Sequence, residues 1–318
     1  MEAKLERAVR SEVKPSRARE TWRLMKKYKA IYILSLPSIL YFVLFKYVPL
    51  MGSVMAFQNY NIFKGITGSP WIGLENFQRM FAYDEFLRIL KNTILIGFYD
   101  LIFAFPFPIV LALLLNEMRL LMYKRIIQTV VYMPHFLSWV IVGGIAIGIL
   151  SPTTGVVNHV LGLFGIDPIY FLGEDSYIRG ILVGSGIWKD SGWGTIVYLA
   201  ALAGVNPEMY EAAVMDGASR WRQTISITIP TIMPTIVILF LLHIGNFLDF
   251  GFERVYVFLN SLNEGSGDIM DTYIYRVGLV GRQYSFTTAI GLFKSVVGLA
   301  LIMLGNALSR KATGQGLY

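Results

Sequence analysis

The sequence predicts an all-α polytopic membrane protein with about six transmembrane helices. Two observations carry this. Of 318 residues, 55 % are hydrophobic and only 15 % charged, with a mean hydropathy of +0.55. A soluble chain of this size needs a more polar surface. The apolar residues also come in runs of about twenty, the length that crosses a bilayer. There are no cysteines, so disulfides and thiolate metal sites are excluded.

The elements follow in order. Residues 1–29 form a basic N-terminal tail holding ten of the 28 Lys and Arg, the main source of the +7 net charge. Such a tail suits anionic lipid headgroups at the cytoplasmic face, not nucleic acid. Residues 30–318 form the membrane domain, with spans at roughly 30–51, 93–115, 128–150, 179–203, 229–250 and 286–308. The first is an uncleaved anchor, because its basic lead is too long for a removable signal peptide. Residues 74–91 are amphipathic, with Phe77, Met80, Phe81, Phe86, Ile89 and Leu90 at helical spacing. They are expected to lie flat on the outer membrane face. Arg119, Lys124, Arg125, Arg220, Arg222, Arg310 and Lys311 flank the other side, while the 151–177 loop has no Lys or Arg. That asymmetry puts both termini in the cytoplasm. Lys64, Arg79, Arg88, Lys91, Arg254, Arg276 and Arg282 on external loops weaken the count without reversing it.

Catalytic signatures are missing. No phosphate loop exists, since Gly291-Leu-Phe-Lys-Ser295 lacks the glycine before the lysine and lies inside a span. His135, His159 and His243 are scattered and read as hydrogen-bonded structural histidines.

Charges at bilayer depth are more informative, because each costs on the order of 3 kcal/mol and so faces a cavity or a partner. Lys46, Asp100, Lys189, Asp190, Asp249 and Lys294 belong to five different spans. Gly186, Gly192 and Gly194 surround Lys189 and Asp190 and suggest a broken helix lining a cavity. Asn246, Asp249 and Phe250 form a polar patch one turn long, as i and i+3 share a helix face. The candidate substrate path is therefore Lys189, Asp190, Trp193, Asn246, Asp249, Phe250 and Lys294. Trp193 and Phe250 offer faces on which sugar rings stack; plain packing is the alternative. Pro230 and Pro234 open the fifth span and predict a kink there.

Between the fourth and fifth spans, a loop at about 204–228 carries a short polar helix. Asn206-Pro207-Glu208 is a good start: an N-cap, a proline at the first helical position, and an acid at the positive end of the dipole. Tyr210, Val214, Gly217 and Trp221 share one face at helical spacing. Gly217 costs that helix roughly 1 kcal/mol, and a partner backbone approaching closely would repay it. A simple re-entry turn is the alternative.

Glu211-Ala-Ala, three residues, Gly217, nine residues, Ile227-x-x-Pro230 resembles the cytoplasmic coupling loop of permease subunits of binding-protein-dependent ABC importers. Thr224 and Ile229 depart from it, where an aromatic and Leu are usual. Gly73-Leu-Glu-Asn-Phe77, the 188–202 segment, and Asp271–Leu279 with Tyr284–Ser295 are similar to the branch that handles polysaccharides and complex oligosaccharides, alginate importers included. The resemblance implies the type I importer permease fold and a multi-pass place in the bacterial inner membrane. It implies a non-catalytic subunit with no cofactor of its own, ATP and Mg sitting on partner ATPase subunits. The implied partners are a second permease, two ATP-binding subunits, an extracytoplasmic solute-binding protein and an oligo- or polysaccharide. Tyr210, Glu211, Ala212, Ala213, Val214, Asp216, Gly217 and Ala218 would meet the ATPase. The lysine and arginine excess points to an acidic, uronate-like glycan, and Asp100, Asp190 and Asp249 offset it. Other classes consistent with the composition are an ion-driven transporter subunit and a non-transporting scaffold.

Overall fold

A computed structural model describes residues 17–314 and 316. The first half of the basic tail lies outside the described residues. The chain contains two compact units, 1–54 and 55–318. The first unit holds the helix Arg17–Lys27 and most of α1 (Lys29–Phe57), whose side chains are exposed nearly throughout.

In the second unit the main helices are α2 (Glu75–Ala82), α3 (Asp84–Glu117), α4 (Leu121–Phe136), α5 (Trp139–Leu150), α6 (Asp175–Ala203), α7 (Pro207–Met215), α8 (Arg220–Gly245) and α9 (Tyr284–Thr313). Among the described residues, α1, α3, α8 and α9 are unbroken helices long and apolar enough to cross a membrane. The stretch expected as a single span at 128–150 is instead α4 and α5, bent by 107°. Pro134 and the extended Leu137 end the first helix, and the Ser138 side chain accepts from the Ile141 amide to start the second.

The fourth expected span, α6, runs unbroken for 29 residues, about 43 Å at 1.5 Å rise per residue. Its polar residues keep it outside the apolar set, yet it is long enough to span. The break expected around Lys189 is therefore absent. Its glycines serve close packing: a Cβ on Gly192 would fall 2.1 Å from the Val131 carbonyl oxygen, and one on Gly186 would fall 2.6 Å from the Arg254 guanidinium.

Of the four wide π-turns among the described residues, one is Ile274–Val280 and three lie within long helices: Val43–Tyr47, Asp100–Ala104 and Thr224–Thr228. Each of these three is followed two residues later by proline: Pro49, Pro106 and Pro230. A proline ring clashes with the carbonyl four residues back and leaves it without a donor. Those carbonyls belong to Phe45, Ile102 and Ser226, inside the wide turns, where the looser winding makes room. The helices continue through their prolines for this reason.

The apolar stripe of residues 74–91 packs mainly on protein. Met80, Phe86 and Ile89 are fully buried with Leu248, Met270, Tyr273, Phe286 and Ile290 in one cluster. The amphipathic stripe is the core of one end of this unit. Polar ties hold that end: Asn92 donates to the carbonyls of Gly265 and Asp268, Arg179 donates to Asn92, and buried Asn263 donates to the carbonyls of Leu172 and Phe258. Burial pushes the Asp268 carboxyl above its ordinary range, against the opposing Thr272 hydroxyl and Arg276.

Candidate functional site: the α7 loop and two polar cavities

Helix α7 begins as its sequence dictates. The Asn206 side chain accepts from the Glu208 amide at 3.0 Å, and Pro207 takes the first helical position. The helix ends at Met215, sooner than the apolar spacing suggested. Gly217 has φ +74°. Its amide donates to the Val214 carbonyl at 3.0 Å, and the Ala218 amide to that of Ala213 at 2.8 Å. This is the paired C-terminal cap that needs a left-handed residue. Gly217 is thus a helix terminator and not part of an apolar stripe. Trp221 lies on the next helix, where the Ser219 hydroxyl caps the Arg222 amide.

The loop has two faces. Tyr210 turns inward, its hydroxyl 2.9 Å from Thr228 Oγ1, beside the cluster of Ala112, Tyr198, Leu202, Val205 and Ile232. Arg220 binds Glu117 at 3.0 Å and ties the loop to the end of α3. Outward stand Glu211, Ala212, Asp216 and the large apolar side chains of Val214, Met215 and Trp221, which are 61 %, 87 % and 75 % exposed. Ala213 and Ala218 are half-buried between the two faces. Several large apolar groups on one polar-rimmed loop mark an interaction surface.

The intramembrane charges of the second unit are partnered, whereas Lys46 on α1 is exposed. Lys189 is buried, and its ammonium donates to the carbonyls of His135 (2.7 Å) and Leu137 (2.6 Å) and sits 5.5 Å above the Trp139 ring. It supplies donors to carbonyls stranded by the α4–α5 break. Asp190 accepts from His135 Nδ1 at 3.0 Å, and Trp193 stacks on the same imidazole at 4.7 Å. Lys189, Asp190 and Trp193, from successive turns of α6, thus grip a single bend.

Arg254 and Asp100 form a buried bidentate pair at 2.7 and 2.8 Å, and Arg254 also donates to the Leu182 carbonyl. Arg254 was legible in the sequence only as an external-loop cation. Lys294 binds Asp271 at 2.6 Å and Asp249 at 3.5 Å.

Two cavities adjoin these groups. One of about 430 Å³ is lined by Asp100, Asp190, Tyr198, His243, Asn246 and Arg254, among others. The second, about 400 Å³, is lined by Asn246, Asp249, Asp271, Lys294 and Ser295. Asn246 belongs to both. Of the sequence-derived path residues, the structure brings Asp190, Asn246, Asp249 and Lys294 to these cavities. Lys189 and Trp193 support the wall. Phe250 points elsewhere: its ring sits against Gly97 and packs on the Ile96, Ile178 and Leu182 cluster. Asn246 already lies past the end of α8, so Asn246, Asp249 and Phe250 share no helix face. Among the described residues no group of His, Asp and Glu could hold a metal ion.

Comparison with known proteins agrees with this anatomy. Residues 85–314 match the family described as "Binding-protein-dependent transport system inner membrane component". The chain is 47 % identical over 294 residues to Protein LplB of Bacillus subtilis (strain 168), covering 92 % of each chain. It is also 47 % identical over 290 residues to that organism's polygalacturonan/rhamnogalacturonan transport system permease protein YteP, covering 91 % of this chain and 90 % of the relative. A chain from the crystal structure of a bacterial alginate ABC transporter in complex with alginate pentasaccharide-bound periplasmic protein superposes with a TM-score of 0.86. That match has 40 % identity and covers 93 % of this chain and 99 % of the other. The chain belongs to the family of inner membrane components of binding-protein-dependent transport systems, the non-catalytic permease subunits of ABC importers, whose ATPase is a separate subunit.

Proposed function

We propose that this chain is one half of the pore of an importer for oligo- or polysaccharides of the uronate-containing class, working in the bacterial inner membrane with both termini in the cytoplasm. It pairs with a second permease, two ATPase subunits and an extracytoplasmic solute-binding protein. The observation that carries this reading is the outward face of the α7 loop, an exposed apolar surface anchored to the bundle through Tyr210 and Arg220. A permease without nucleotide chemistry needs such a surface to receive work; Glu211, Ala212, Val214, Asp216 and Gly217 stand on it, with Ala213 and Ala218 half-buried at its edge. The relatives named for polygalacturonan/rhamnogalacturonan and alginate support the substrate class. ATP binding drives import if it favours one permease state over the other. Asp190, Asn246, Asp249 and Lys294 line the path, with Lys189 and Trp193 behind it.

The test is uptake into proteoliposomes holding the co-purified complex and its binding protein. Import of a galacturonate or mannuronate oligosaccharide should require ATP. Uptake driven by an ion gradient in the absence of ATP would contradict the reading.

A further inference from the structure

We propose that this subunit reads the hydroxyls of its saccharide and not its carboxylates, through Asp190, Asn246 and Asp249. The proposal rests on the importer reading above.

The cations near the two cavities are already committed. Lys189 serves two backbone carbonyls, Lys294 serves Asp271 and Asp249, and Arg254 serves Asp100 and the Leu182 carbonyl. Lys189 and Arg254 are 7 % exposed, and the Lys294 side chain 15 %. None can turn toward a uronate without leaving its present partner unpaired. Asp100 and Asp271 are held by Arg254 and Lys294, but the other two of the four carboxylates at the cavities are open: the Asp190 side chain is 53 % exposed and that of Asp249 is 58 %. Each has further lone pairs to offer, since an ionised carboxylate accepts about four hydrogen bonds. His135, the other titratable group on Asp190, spends its Nδ1 on that carboxylate. Asn246, common to both cavities, joins the two carboxylates into one polar tract.

Anionic acceptors beside an amide suit hydroxyl donors, with which they make charge-assisted bonds. They repel a substrate carboxylate, which must face away from this wall. Any cation that pairs with a uronate then comes from outside this chain.

The test is paired uptake of neutral and uronic oligosaccharides of equal length, in proteoliposomes matched for assembled importer. Asp190→Asn and Asp249→Asn should each lower neutral uptake, by about fivefold, as a charge-assisted bond becomes a neutral one. The uronate-to-neutral ratio should rise in both. Asn246→Asp, which adds a carboxylate, should lower that ratio. Lys294→Met should reduce both substrates in proportion. Ratios that stay fixed in all three cavity variants, or a selective loss of uronate uptake in Lys294→Met, would overturn the proposal. Wild-type vesicles that import neither class of saccharide would contradict the importer reading itself, and the proposal with it.

Discussion

At the scale of single residues, the buried pair Asp100–Arg254 and the glycine Gly217 show how burial and conformation divide the work. Arg254→Met leaves Asp100 charged and unpaired inside the bundle, at a cost of about 3–5 kcal/mol. The expected result is a large fall in the thermal unfolding midpoint in detergent, with partial recovery in the double variant Asp100→Asn, Arg254→Met. A single variant as stable as wild type would remove the pair from the account. Gly217 is held at φ +74°, and a Cβ there meets nothing within 4 Å. A β-branched residue would therefore act through conformation, costing about 1–2 kcal/mol for the left-handed backbone. Gly217→Val should depress substrate-stimulated ATPase activity of the complex about tenfold. Gly217→Asn, a residue that visits this conformation, should retain most of it. Full activity in Gly217→Val would show that the helix end is not needed for coupling. That Gly217 is set apart from its neighbours was legible in the sequence, but its structural role as a helix terminator was not, because apolar spacing cannot register where a helix stops. The same applies to Lys189. A buried ammonium was bound to have partners, yet they are carbonyls some fifty residues away, exposed by a bend that local pattern does not foretell.

At the scale of elements, the bend between α4 and α5 interrupts a continuous apolar run, and α6 holds it. Lys189→Met removes both donors from the His135 and Leu137 carbonyls at once. With a desolvation cost of about 1–3 kcal/mol for each stranded group, the variant should unfold more readily. Backbone amides of residues 135–142 should exchange faster with deuterium, while those of α9 stay protected. Uniform exchange across both regions would mean that the ammonium does not secure the bend. The signals for the bend, Pro134 and Ser138, were present in the sequence as a helix breaker and an N-cap. A continuous apolar run across them masked the break. The glycines of α6 pointed to an irregular backbone and turned out to admit neighbours: the Val131 carbonyl at Gly192 and the Arg254 guanidinium at Gly186. Glycine content reports close approach or backbone freedom without distinguishing them. Likewise the stripe from Phe77 to Leu90 was correctly helical, but amphipathicity alone does not say whether lipid or protein covers the apolar side.

At the scale of the whole molecule, composition and run length were sufficient for an all-helical membrane protein, and the Glu211–Pro230 spacing for its family. Membership in that family sets aside an ion-driven carrier and an inert scaffold. The tertiary pairings of the charges were not legible, since Asp100–Arg254 and Lys294–Asp271 join segments with no sequence relation. The central claim is that the exposed face of the α7 loop receives the ATPase on the cytoplasmic side. Val214→Cys tests it most directly, because the native chain has no cysteine and Val214 is exposed. In right-side-out membrane vesicles carrying the complete complex, a short thiol-to-amine cross-linker that enters the lumen should join Val214→Cys to an ATPase subunit. An impermeant thiol reagent added outside should leave it unlabelled. Efficient labelling from outside, with no cross-link to an ATPase, would contradict the claim.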